Sequence, residues 1–175
     1  MTVFNPSAYG PLVKELLTPE RLPELGPGNP NLAAKPKLEA LTIGMLFADG
    51  VSDADLARCC IAALWLWHDF LNEAHKIVQD IDTPEGSYWH GIMHRREGDY
   101  SNAKYWFRRV GAHPVCRSLQ QEFTGEQGPA WDYDRFVNDC ASSYGTGLED
   151  EDYCQWLQRL EWQLLFDWCW QHATR

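Results

Sequence analysis

Apolar residues along the chain recur at intervals of three and four, and no stretch alternates with the two-residue period of a strand. The clearest run is Leu56, Cys59, Cys60, Ala63, Leu64, Trp67, Phe70, Leu71, Ala74, Ile77 and Val78. This rhythm predicts one long helix from about residue 53 to 81, and its wide apolar stripe makes that helix central. Ser52, three residues ahead of Asp55, offers a capping arrangement at its start. "DIDTPEGS" reads as a connector in which Thr83 caps and Pro84 opens the next helix. That helix runs through "SYWHGIMHRR", "EGD" breaks it, and another follows through "YSNAKYWFRRV". Either Ser101 or Asn102 can cap this one. "GAHP" ends it, with glycine just past the last turn and proline soon after. "FTGEQGPAWDY" reads as loop, "DRFVNDCASS" as helix and "YGTG" as a stop. "LEDEDYCQWLQRLEWQLLFDWCWQHA" predicts a final long helix. Acids crowd its N-terminal end, where the helix dipole favours them, and its centre is apolar nearly all round, so it should be buried.

Residues 1–37 follow a different pattern, because they hold seven of the ten prolines. This arm has room only for short helical turns, around "LVKELL" and after "TPERL", where Thr18, Pro19 and Glu20 form a start signal. "ELGPGNPN" must be irregular, and the arm's leucines need cover, so the arm should wrap the rest. A short helical segment, "LEALTIGMLFA", follows. The expected class is all-α: a proline-rich wrapping arm over 1–37 and a single compact helical bundle over 38–175. A chain of 175 residues, 45% of them hydrophobic, suits one core.

The formal net charge of −10 argues against a diffuse grip on nucleic acid or an anionic membrane. The longest apolar run, "IAALWLW", falls far short of the roughly 20 residues of a membrane span. The start, "MTVFNPSAYG", lacks the basic and apolar regions of a signal peptide. The six cysteines form no CxxC pair and mostly sit within apolar helical patterns. They imply a reducing, cytoplasmic setting without a disulfide framework or structural zinc. No GxGxxG or GxxxxGK[ST] pattern cradles a nucleotide. The nine tryptophans are a surplus of the kind that fills cores and also lines ligand pockets.

Candidate chemistry gathers on the two helices that flank "DTPEGS". On the first, His68, Asn72, His75 and Gln79 share one stripe; on the second, His90, His94 and Glu97 do. An antiparallel return about Pro84 brings His75 level with His90 and His94 if the stripes face each other, and His68 level with Asp99 or Tyr100. Facing stripes would make a site, and solvent-facing ones would not. Three chemistries fit. His90 and His94 have the i, i+4 spacing that lets two imidazoles reach one divalent metal ion, with His75 or Glu97 to complete it. Histidine also titrates near neutrality, so His75, His90 and His94, with Glu97 to orient one and Tyr100 as a donor, are candidates for acid–base work. Finally, residues 88–117 hold six basic residues against Glu97 and Asp99, a positive island in an acidic chain. Arg95, Arg96, Lys104, Arg108 and Arg109 would bind a carboxylate or phosphate there. The competing reading is internal pairing, for instance with "LEDEDY" of the last helix, which would make a lock rather than a pocket.

At residues 88–114 the pattern resembles a tetratricopeptide repeat. Gly91, Ala103 and Phe107 stand at its small, small and aromatic positions, "GDY" occupies the turn, and Pro114 comes near the end. Ser87 and His94 depart from it, and no second copy follows at that period. The hairpin therefore reads as one layer of a bundle and not as an array. The wider string "TPEGSYWHGIMHRREGDYSNAKYWFRRVGAHPV" resembles a family of uncharacterised proteins with a "SYWHxIMHRRExDYxNAKYWFRRVGxHP" signature. That resemblance extends to "FDWCW", spans about residues 60–172, and implies no activity.

The leading expectation is a helical protein that binds a small anionic or polyhydroxylated ligand between helix 53–80 and hairpin 87–110, with histidine acid–base catalysis left open. The alternative is a tetratricopeptide-like module for protein–protein interaction, supported by the surplus of tryptophan and arginine. A homodimer is also left open.

Overall fold

The predicted long helix over 53–81 is two helices. In the computed structural model, which describes residues 4–18, 21–125 and 127–174 (residue 123 by its backbone alone), α4 (Ala54–Trp67) and α5 (Leu71–Val78) are separated by His68, Asp69 and Phe70. Asp69 sits in the left-handed region at φ 64°, which only a few side-chain-bearing residues tolerate. Its buried carboxylate receives Arg96 from one side and Arg21 from the other, each at 2.5 Å. Arg96 also donates to the carbonyls of Leu66, at the end of α4, and Gly26. The apolar rhythm runs on through Phe70 and Leu71, both buried, so the periodicity of the sequence does not reveal the turn. His68 consequently leaves the stripe of His75 and packs beside Asn31, with Nδ1 3.0 Å from the amide nitrogen.

Ten α-helices, one 3-10 turn (Pro6–Tyr9) and no strand make up the regular structure of the described residues. α1 (Pro11–Leu16), α2 (Lys35–Ala40) and α3 (Ile43–Leu46) are short. α6 (Pro84–Glu97) and α7 (Tyr100–Val110) form the expected hairpin, followed by α8 (Pro114–Thr124), α9 (Tyr133–Ser143) and the long α10 (Glu149–Ala173). None of the helices is long and apolar enough to cross a membrane. α8 occupies a segment without an expected helix. Pro114 opens it at a position where a missing N–H costs nothing, and His113 caps it through Val115 N. Thr83 caps α6 as expected. α4 is instead capped by Asp53, which accepts from the amides of Asp55 and Leu56, while Ser52 donates to the Ala173 carbonyl. Asp99, and neither Ser101 nor Asn102, caps α7. The start signal at Thr18–Glu20 falls partly outside the described residues.

Among the described residues the segment after "TPERL" forms no helix up to Lys35. Its backbone is held by side chains from the bundle: Gln158 donates to the Glu24 carbonyl, and Arg96 to Gly26. Leu16, Leu17 and Leu25 are buried, and Tyr9 packs edge-on against Phe166 and Trp170 of α10.

The α6–α7 hairpin closes tightly because Gly91 has no side chain. A Cβ there would lie 2.8 Å from the ring of Phe107. Ala103 is fully buried between the same helices. Gly98 ends α6 in the left-handed conformation, which lets the chain reverse within two residues. α10 packs along α4, α8 and α9, and Glu161, wholly buried at its centre, is reached by Arg95 of α6 at 2.5 Å. This frame sets α5, α6 and α7 side by side.

Candidate functional site

The two predicted stripes face each other. His75 on α5 meets His90 and His94, one turn apart on α6, and one ligand atom from each lies within 4.8 Å of the others. No other group of three or more His, Cys, Asp or Glu side chains among the described residues is drawn together in this way. His90 and His94 are stacked, with centroids 4.8 Å apart and planes at 14°. His75 approaches across the helix interface, 4.7 Å from His90 and 5.3 Å from His94 between centroids. His90 and His94 are buried and His75 half-buried, so the cluster opens to solvent on the α5 side.

Trp106 of α7 completes the column. Its ring lies on the outer face of His90 at 3.9 Å, nearly parallel. Asn102, one turn earlier on α7, reaches the Nε2 of His94 at 3.1 Å. Glu97 accepts from the Nδ1 of His94 at 3.1 Å. Neither Trp106 nor Asn102 was expected at the site, yet their spacing of four places them on one face of α7.

Burial disfavours the charged form of the two α6 imidazoles. His90 is pushed down to about 3, first by desolvation and then by the neighbouring His94 and His75. His94 is lowered by burial, against the opposing pull of Glu97. His90 Nδ1 is buried and has no hydrogen-bond partner. Two desolvated imidazoles beside a third, with a ligand nitrogen from each within 4.8 Å of the others, suit a cation that takes nitrogen ligands.

The basic residues take other positions. Arg95 and Arg96 are almost wholly buried and committed to Glu161 and Asp69, so they are not ligand-binding groups at an open site. The reason is register: they directly follow His94 on α6, and so project onto the faces that meet α10 and the α4–α5 turn. Arg95 also lies over the ring of Phe136 at 4.5 Å. Lys104 donates to Asn138, Arg108 faces Asp134, and Arg109 pairs with Asp82 while covering Trp106 at 5.3 Å. Four arginines of the positive island are thus drawn into ion pairs, and of them Arg109 borders the histidine column through Trp106. Burial first, and then Cys140 and Tyr144 at the end of α9, push the Tyr100 hydroxyl up.

No protein-family model, no curated protein and no solved structure matches this chain.

Proposed function

We propose that His75, His90 and His94 hold a divalent transition-metal ion and that, through it, the protein binds a small anionic or polyhydroxylated ligand by its oxygen atoms. The observation that carries this reading is the convergence of three ligand nitrogens within 4.8 Å on three different helical turns. Imidazole nitrogen suits zinc, copper, nickel or iron, whereas magnesium and calcium prefer oxygen. The Glu97–His94 hydrogen bond supplies the carboxylate partner that metal-ligating histidines commonly have. Three protein ligands leave a coordination position for water or a ligand, the make-up of a Lewis-acid centre. In this reading the α6–α7 hairpin is a tetratricopeptide-like scaffold layer that presents the ligands. Six unpaired thiols fit a reducing, cytoplasmic compartment.

The test is calorimetric titration of chelator-treated protein with Zn²⁺ and Co²⁺, together with elemental analysis. One ion per chain is expected, and His90→Ala and His94→Ala should abolish uptake while keeping the helical circular-dichroism spectrum. Co²⁺ should give the visible absorption of a four- or five-coordinate nitrogen site. A folded wild-type protein that takes up neither ion would overturn the proposal.

A further inference from the structure

A second constellation lies where α9 and α10 meet. α9 and α10 pack together, and the buried Cys140 of α9 and Cys154 of α10 are hydrogen-bonding neighbours across that packing. Ser143 Oγ lies 3.9 Å from the Cys154 sulfur. Cys154 also forms part of the wall of a cavity of about 390 Å³. Trp131 and Tyr153 give that cavity aromatic walls, and Asp132, Asp139 and Asp150 outnumber Arg135 around it. The cavity is separate from the histidine column, and none of its lining residues belongs to that site.

Cys154 differs from its fellow cysteines in electrostatics as well as in place. Cys59, Cys60, Cys116 and Cys140 are all pushed up, as buried thiols are. Cys154 is lowered to about 7, first by the Cys140 hydrogen bond, with Ser143 and the positive charge of Arg95 from α6 acting the same way; burial and Asp139 oppose them. A thiol poised near neutrality, beside a second thiol and on the wall of a cavity, has the parts of a nucleophile with its own resolving partner.

We propose that Cys154 reacts through this cavity with small, positively charged disulfides, and that Cys140 resolves the product into a disulfide joining α9 to α10. In the first step the Cys154 thiolate attacks one sulfur of the small disulfide. The new S–S bond forms as the old one breaks, and one thiolate leaves. In the second step Cys140 gives up its proton and attacks the Cys154 sulfur, expelling the other thiolate. The protein is oxidised by two electrons, and one small disulfide is reduced to two thiols. The aspartates of the cavity supply the preference for positive charge.

The experiment treats the folded, full-length protein with cystamine and follows intact mass and peptide maps. Loss of two hydrogens, a Cys140–Cys154 linked peptide and release of two cysteamines are expected. Cys140→Ser should stop at a cysteamine adduct on Cys154, and Cys154→Ser should leave Cys140 unmodified. Cystamine should react at least tenfold faster than anionic glutathione disulfide, with a pH–rate midpoint near 7. Cys140→Ala, which removes the donor, should move that midpoint upward. The proposal is overturned if the native protein forms no linked pair, if Cys116 is modified before Cys154, or if glutathione disulfide reacts as fast as cystamine.

Discussion

Glu97 and His94 are joined through Nδ1 at 3.1 Å. A carboxylate only accepts, so the proton of neutral His94 is held on Nδ1 and the lone pair stays on Nε2. That lone pair faces Asn102, whose amide nitrogen lies 3.1 Å away. The nitrogen best prepared for a metal ion is thus the one Asn102 occupies, and the side chain must turn aside for His94 to ligate.

Asn102→Ala should therefore tighten metal binding. Removing a competing hydrogen bond worth about 1 kcal/mol corresponds to about a fivefold lower Kd. Glu97→Ala should act in the opposite direction, weakening binding about tenfold or more, since it frees the tautomer that Glu97 fixes. Titration of both variants with Zn²⁺ against the wild type measures the two effects. Equal affinities in all three proteins would show that His94 does not ligate through Nε2.

Arg95 and Glu161 make a prediction about stability. Both side chains are fully buried and pair at 2.5 Å, while Arg95 Nε and Nη1 and Glu161 Oε1 have no further partner. Arg95→Met would strand a carboxylate in the core and should cost about 3–5 kcal/mol. The double variant Arg95→Met/Glu161→Leu should recover most of that loss, because two desolvated charges disappear together. Urea unfolding of the single and double variants gives the comparison. A double variant no more stable than the single one would mean that the pair contributes through shape and not charge.

The same pair shows what the sequence conceals. That His75, His90 and His94 stand at one level is legible, because helical spacing on each side of a short connector puts them there. That their stripes face each other is not legible, because the rotation of α5 and α6 is set by docking against the other helices. The fate of Arg95 and Arg96 is not, because their partners Glu161 and Asp69 stand 66 and 27 positions away. Nothing local distinguishes a buried arginine from a solvated one. The break at Asp69 is hidden for the same reason: Phe70 and Leu71 keep the apolar rhythm, and the turn is held by Arg96 and Arg21, from distant segments. Trp106 reads as one more core aromatic until α7 is docked and its ring lies on His90.

Gly91 tests the hairpin. A Cβ would meet the Phe107 ring at 2.8 Å, and that ring is backed by Tyr133, stacked on it at 4.8 Å. With no room to retreat, Gly91→Ala should destabilise the protein by about 1–3 kcal/mol despite alanine's better helix propensity. Adding Phe107→Leu should restore part of the loss. Because His90 precedes Gly91 on α6, the single variant should also weaken metal binding. A Gly91→Ala protein as stable as the wild type would show that α6 and α7 can separate without cost.

Glu85, in the first turn of α6, gives the pH dependence of folding a definite sign. Its Oε1 accepts from Trp168 Nε1 at 3.1 Å and from His113 Nε2 at 3.4 Å. Nδ1 of His113 accepts from the Val115 amide, so Nε2 carries the proton that His113 donates. Burial pushes the Glu85 carboxyl up, but the His113 hydrogen bond, its own backbone amide and Trp168 outweigh it and hold the group at about 2. The unfolded chain releases this proton near 4.3. The folded form therefore binds fewer protons in that interval, and the stabilisation is complete above about pH 5 and lost as the pH falls toward 2. With solvent screening allowed for, the contribution is about 1–2 kcal/mol. Glu85→Gln should be less stable than the wild type by that amount at pH 7, and the gap should narrow by pH 3. Urea unfolding of both proteins at the two pH values decides it: a gap of the same size at each would mean that Glu85 acts through shape alone, without its charge.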